Sequence, residues 1–314
     1  MEWSERIGRR IRLRDLHILL AVVQCKSMAK AAEHLAISKP VISKAIADLE
    51  QVLGVRVLER DRHGAEPTVY GAALLKRGVT VFDELRESVK DIEFLVDPTA
   101  GEVRIGCNPM LATGFVTAVV DRLSRCWPRI VFHVVARPGE LLLSELSERT
   151  VDFLVARRLG ALTDERLEFE LLFDEKDVVV AGLQNSLIRR RRIELAELMN
   201  QKWVLPPPDN VVGAVAMRAF RARGLDYPRT TVFSDAPHVR MALVETGRFL
   251  SIFPASALRF PTNHPEIREL PVELPLARVP VGIVTLKNRT LSPVARVFIE
   301  HAREVAKPLA KRNK

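Results

Sequence analysis

Ser27–Glu50 reads SMAKAAEHLAISKPVISKAIADLE, and the fold of the chain is decided by how its second half is used. Apolar residues recur at helical spacing in two short runs, Ala31, Ala32 and Leu35 and then Ile42, Ile46, Leu49 and Leu53. Ser27 and Ser38 stand where helix N-caps belong, and Lys39-Pro40 fills a first turn, where a missing N–H costs nothing. The small pair Ala31-Ala32 permits close approach of the next helix across the turn Ala36-Ile37. With one side of the second helix apolar, Lys39, Ser43, Lys44 and Asp48 are left outward near its N-terminus, where a major-groove reader places its donors. A plain helical hairpin with a solvated face has the same periodicity, so charge is needed as a second witness. Residues 1–77 carry 14 Lys and Arg against 9 Asp and Glu, a net of +5 from about a quarter of the chain, which favours a polyanionic partner.

Outward from this stretch, Leu16, Leu19, Leu20 and Val23 predict a preceding helix, and Arg56–Thr68, broken by Gly64 and Pro67, suits a two-stranded wing. A long helix follows from near Tyr70. Leu75, Gly78, Phe82, Leu85, Val89, Ile92 and Val96 alternate at spacings of three and four, the pattern of a coiled-coil seam, and Leu75, Phe82, Leu85, Val89 and Ile92 are expected to pair with a second copy. Asp97-Pro98 ends that helix, because proline disfavours helical geometry in the residue before it.

After Gly101 strands and amphipathic helices alternate. Strands are expected at 103–106, 130–135, 151–156, 177–182, 202–206, 230–233, 249–253 and 281–286, and the alternation argues an α/β unit of two lobes.

The whole chain has 314 residues, 28% charged and 47% hydrophobic, with a formal charge of +9. That is long enough for two or three domains with cores of their own. Cys25, Cys107 and Cys126 form neither a secreted disulfide framework nor a zinc motif, and no signal peptide or apolar membrane run is legible, so a reducing cytoplasm fits and no metal is expected. G-x-x-x-x-G-K-[ST], G-x-G-x-x-G, H-E-x-x-H and G-x-S-x-G are all missing and the seven histidines are scattered, which leaves no catalytic residue to nominate and argues against an enzyme.

Leu13–Gly71 resembles the winged helix-turn-helix of the LysR-type bacterial transcriptional regulators. The likeness is carried by Ser27, Ala31-Ala32, Leu35, Ser38, Pro40, Ser43, Ile46, Leu49-Glu50, Leu53-Gly54, Leu58, Arg60, Thr68 and Gly71. The resemblance implies an N-terminal all-α winged helix-turn-helix over 1–71, a linker and dimerisation helix over 72–98, and an α/β effector-binding domain over 101–314 resembling periplasmic binding proteins. Its lobe I would span about 101–175 and 275–314, and its lobe II about 176–274. Ser27, Ser38, Lys39, Pro40, Ser43 and Lys44 are then expected on DNA, with Arg60 and Arg62 of the wing at phosphates or in the minor groove. Two departures stand out: Lys39 where the family usually has Gln, which alters base preference, and Pro67 in place of the usual apolar residue. Arg189–Arg192 reads as a solvated basic loop.

The same resemblance, together with strand ends, places Asn108, Pro109, Met110, Glu140, Arg157 and Pro207 on an effector cleft. An arginine and a helix N-terminus suit a carboxylate, and Glu140 prefers a hydroxylated acid such as a sugar acid. The partners implied are a double-stranded DNA operator, a small-molecule effector, a second copy of the chain with tetramers common in the family, and RNA polymerase. A thiol switch using Cys107 and Cys126 is the rival mode of sensing.

Overall fold

A computed structural model describes residues 11–61, 64–160, 163–260 and 266–311. Its contacts divide the chain into two compact units, Met1–Ser88 and Val89–Lys314.

In the first unit α1 (Leu13–Cys25), α2 (Met28–His34) and α3 (Lys39–Leu53) close around Leu19, Val22, Ala31, Ile42 and Ile46, all buried. The turn between α2 and α3 puts Ala36 in the left-handed region at φ 52°, and Gly54 ends α3 at φ 72°, a conformation that costs glycine little. The wing is β1 (Leu58–Asp61) paired antiparallel with β2 (Gly64–Pro67). Its base is held by Glu50, whose carboxylate accepts from the N–H groups of Val57 at 2.9 Å and Leu58 at 3.3 Å. The long helix α4 (Val69–Val96) starts on Thr68, whose hydroxyl accepts from Gly71 N–H and donates to Arg56 C=O. A Cβ at position 71 would lie 2.0 Å from the Val57 carbonyl oxygen, so only glycine lets the helix pass the wing here.

The second unit holds two five-stranded sheets. The first contains β3 (Ala100–Cys107), β4 (Arg129–Ala136), β5 (Phe153–Arg157), β6 (Leu167–Glu175) and β12 (Val279–Leu286), ordered β4-β3-β5-β12-β6. The second contains β7 (Asp177–Gly182), β8 (Trp203–Leu205), β9 (Thr230–Phe233), β10 (Leu250–Pro254) and β11 (Ile267–Glu269), ordered β11-β7-β10-β8-β9. In each sheet two pairings are parallel and two antiparallel, and the chain crosses between them at Lys176 and again after β11. Strand β7 is buried along all six residues, which is why DVVVAG is a continuous apolar run rather than an alternating one.

Helices cover both faces. α5 (Pro109–Leu111) runs through a π-helical turn at Ala112–Val116 into α6 (Thr117–Cys126), and α7 (Gly139–Ser147), α8 (Val211–Arg221), α9 (Pro237–Glu245) and α10 (Pro293–Lys311) follow. The first sheet's core centres on Phe115, Phe153 and Phe298. The second sheet packs Trp203 and Phe220 on one face and Phe253 and Met241 on the other. Removing one of these large rings would cost about 3–5 kcal/mol.

The last turns of α4 belong to this second unit. Phe94 packs against the first sheet's core, Asp97 pairs with Arg129 at 2.7 Å, and Lys90 Nζ lies 3.7 Å from Asp152. Asp152 is buried and also accepts from Arg104 N–H at 2.8 Å and Arg289 Nη2 at 3.1 Å, so its charge is matched from three directions.

Candidate functional site

On α3 the inward residues are Ile42, Ala45, Ile46 and Leu49. Ser38, Lys39, Pro40, Lys44 and Asp48 are exposed and Ser43 is half-buried, so the polar set expected from periodicity lies on one open face. Ser38 occupies the N-cap position, but its side chain makes no capping hydrogen bond. Its hydroxyl is therefore not committed to the helix. Ser27 is used differently: it is half-buried, and its hydroxyl accepts from Lys30 N–H at 3.4 Å, capping α2. Arg60 sits in β1 and the wing's two strands form as expected, while Arg62 lies outside the described residues.

The expected seam of α4 is corrected by the packing. Leu75 packs against the first unit's core, Phe82 tilts against His17 at 5.5 Å between ring centroids, and Gly78 is buried beside Leu16. That half of the stripe serves the chain's own fold. Leu85, Val89 and Ile92 are exposed, as are Val81, Leu95 and Val96.

In the second unit the residues expected on a cleft follow β3 (Asn108, Pro109, Met110), β4 (Glu140) and β8 (Pro207) or end β5 (Arg157). Asn108 follows β3, and its side-chain oxygen accepts from Arg157 N–H at 3.3 Å instead of capping the helix after it. Pro109 has no N–H and Leu111 N–H donates to Asn108 C=O, so this entrance offers fewer free donors than its position suggests. Met110 packs against the second sheet's core. Pro207 is half-buried with its carbonyl accepting from Asn210 N–H at 3.3 Å, and Glu140 is exposed in the first turn of α7.

Arg157 is the residue whose surroundings differ most from expectation. Its guanidinium is engaged: Nη2 donates to both oxygens of Asp177, at 2.8 and 2.9 Å, and Nε lies 3.4 Å from Glu175. All three side chains are at most 10% exposed. Burial pushes the Glu175 carboxyl above its usual range, an effect that Arg157 and the N–H of Ser256, 3.0 Å away, partly offset. Arg157 is thus not the free anion clamp expected from its place at a strand end.

A second buried arginine is hidden in the sequence. Arg240 of α9 is 3% exposed, its guanidinium stands 4.6 Å over the Phe253 ring, and Nη1 donates to Ile252 C=O at 3.3 Å. Its Nε has no hydrogen-bond partner among the described residues. Burial lowers its pKa to about 10, with Asp235, Tyr227 and Asp177 acting in the opposite sense. Within HVRMALV it reads as an ordinary outward charge on an amphipathic helix, so periodicity gives no sign of its burial.

The thiols are placed unfavourably for a switch. Cys107 is fully buried and desolvation pushes it up to about 12, far from a thiolate. Cys126 is exposed at the other end of the helical path from Pro109, about 25 Å away at about 1.5 Å per residue, whereas a disulfide needs Cα atoms within about 7 Å. In the basic run, Arg190 pairs with Glu197 and Arg192 with Glu194.

Residues 13–72 match the family model described as "Bacterial regulatory helix-turn-helix protein, lysR family", and residues 97–307 match the "LysR substrate binding domain". The chain belongs to the LysR family. It is a transcriptional regulator with a helix-turn-helix DNA-binding domain and a substrate-binding domain. Among relatives of this LysR-family chain is GbpR of Azospirillum brasilense, 26% identical over 291 residues, covering 92% of this chain and 85% of that one. GltC of Bacillus subtilis (strain 168), a transcriptional dual regulator, is 26% identical over 290 residues, covering 92% and 95%. A full-length OxyR variant from Pseudomonas aeruginosa has the same fold, with a TM-score of 0.64 at 20% identity and 96% of both chains covered. So does full-length CbnR complexed with its target DNA, with a TM-score of 0.52 at 22% identity over 94% of this chain and 99% of that one.

Proposed function

We propose that this regulator reads a specific operator sequence with the open face of α3 and changes its grip on DNA when a small organic anion enters the cleft between the two sheets. Ser43, Lys44, Lys39 and Ser38 reach base edges or the adjoining backbone, and the wing contributes phosphate contacts that carry affinity without sequence choice. The exposed Leu85, Val89 and Ile92 pair with a second copy, and the protein works in the cytoplasm, where the chromosome is. That pairing and the operator contacts are supported by a single open polar face on α3 together with an apolar stripe on α4 that the chain's own core leaves uncovered.

The observation that carries the choice of ligand is the Arg157–Asp177 contact. At the junction of the two sheets a buried guanidinium already grips a carboxylate, so the chemistry that suits an acid is in place. The thiol switch is disfavoured by the burial of Cys107. A thermal-shift screen of the full chain against organic acids, amines and neutral sugars tests the class. Stabilisation by acids supports the reading, and stabilisation only by neutral or cationic compounds overturns it.

A further inference from the structure

Asp177 is held by one arginine of the first sheet, and a second arginine lies against the strand beside it in the second sheet. Arg157, at the end of β5, holds both of its carboxylate oxygens. Arg240 comes from α9 on the second sheet. Its guanidinium lies over Phe253 and on the carbonyl of Ile252, the two residues before Pro254, and Pro254 is the cross-strand neighbour of Asp177. Arg157 has its Nη2 on Asp177 but its Nε makes only the 3.4 Å ionic contact to Glu175, and Arg240, the more deeply buried of the two, has an Nε with no partner and no carboxylate hydrogen-bonded to it among the described residues. A buried polar group left unpaired is costly, which makes a second arrangement of the same three charges energetically close to the first.

We propose that Asp177 holds Arg157 in place of a ligand's carboxylate, and that an incoming carboxylate takes that guanidinium while Asp177 moves to the unpartnered Nε of Arg240. The inference rests on the anion reading above and deepens it. Each charge keeps a counter-charge in both arrangements: Arg157 exchanges one carboxylate for another, Asp177 exchanges one guanidinium for another, and Glu175 stays beside Arg157 Nε with its other oxygen on Ser256 N–H. No buried ion is stranded, which is what separates an exchange from the rupture of a buried pair. The contact broken joins the two sheets and the contact made lies within the second sheet's own domain, so occupancy of the cleft alters what binds the two sheets together. A ligand larger than its carboxylate would also meet Asn108, whose side chain fixes the backbone of Arg157.

The consequence is that the protein competes with its own ligand. Apparent affinity falls by the fraction of molecules in which Arg157 is free, so Asp177→Asn, which removes the competitor, should bind an acid about tenfold or more tighter than the parent. The test uses the full chain with acetate, benzoate, gluconate and citrate as probes, read by isothermal titration, with melting curves to verify folding. Tighter binding by Asp177→Asn, with loss of binding in Arg157→Gln, supports the exchange. Binding by the parent that Arg157→Gln abolishes and Asp177→Asn leaves unchanged or weakens overturns the exchange while the anion reading stands. Silence of the parent and Asp177→Asn toward every acid overturns both. Should Asp177→Asn fail to fold, Arg240→Gln decides: with its destination removed Asp177 is harder to displace, so the parent's acid should bind about tenfold more weakly, and unchanged binding overturns the proposal.

Discussion

Arg157 and Asp177 meet across the junction of two sheets, Nη2 lying 2.8 and 2.9 Å from the two carboxylate oxygens, and neither side chain is more than 10% exposed. Removing one partner of such a pair leaves the other charge buried without compensation, at about 3–5 kcal/mol. Arg157→Ala is therefore expected to lower the melting temperature of the second unit by several degrees. Arg157→Lys should recover only part of it, because a point charge cannot serve Glu175 and Asp177 from separate nitrogens. Calorimetry on the three proteins checks this, and an unchanged transition in Arg157→Ala would show that the pair contributes nothing.

Glu175 gives the pH dependence a sign. Its folded carboxyl holds a proton more tightly than the ordinary value of 4.5, chiefly because of burial. A group raised in the folded state contributes stability that is full below its unfolded pKa and is lost as pH rises through the folded value. Glu175→Gln cannot titrate and still accepts from Ser256 N–H. As pH rises above the ordinary value of 4.5 the variant should lose less stability than the parent, read from urea midpoints across that rise.

Leu85 tests the assembly. It is 45% exposed on α4, so Leu85→Asp should leave the chain folded, with a cost within about 0.5 kcal/mol expected of a surface change. In a paired seam the same carboxylate would be desolvated without a partner. Sedimentation should find the variant monomeric at concentrations where the parent is dimeric. A variant that remains dimeric would remove Leu85 from the interface.

Much of the fold is legible in the chain because its physics is local. DVVVAG and TTVF fall on the residues that form β7 and β9, since burial on both faces and an alternating edge leave different apolar patterns. Strand β6 escapes the pattern although LEFELLFDE alternates through Leu171: its four acids suggest a surface segment, and a bulge opposite Val281/Gly282 breaks the alternation where Leu172 and Phe173 are both buried. In the DNA-reading unit Thr68 and Gly71 stand out by resemblance, and the structure supplies their reasons in a cap and a close approach. The cleft is harder to read. Arg157 can be singled out, but its partners are an acid just before Lys176 and the first residue of the strand expected at 177–182, and only tertiary packing makes those carboxylates internal. The apolar stripe of α4 is split for the same reason, since periodicity cannot say which of its turns the chain's own core will cover.

The most direct test of the account is selection of duplex DNA from a random pool by the full chain, with sequencing of what is retained, for the parent and for Ser43→Ala/Lys44→Ala. Base-edge contacts contribute about 1–3 kcal/mol of discrimination each, so the pair should carry about a 30-fold to about a 20,000-fold preference for the operator. The parent should enrich one motif in two half-sites, as a paired reader requires, and the variant should lose that enrichment while keeping its salt-dependent affinity for random duplex. Equal enrichment of the same motif by both proteins, or none by the parent, would contradict the reading of α3 as the element that chooses the sequence.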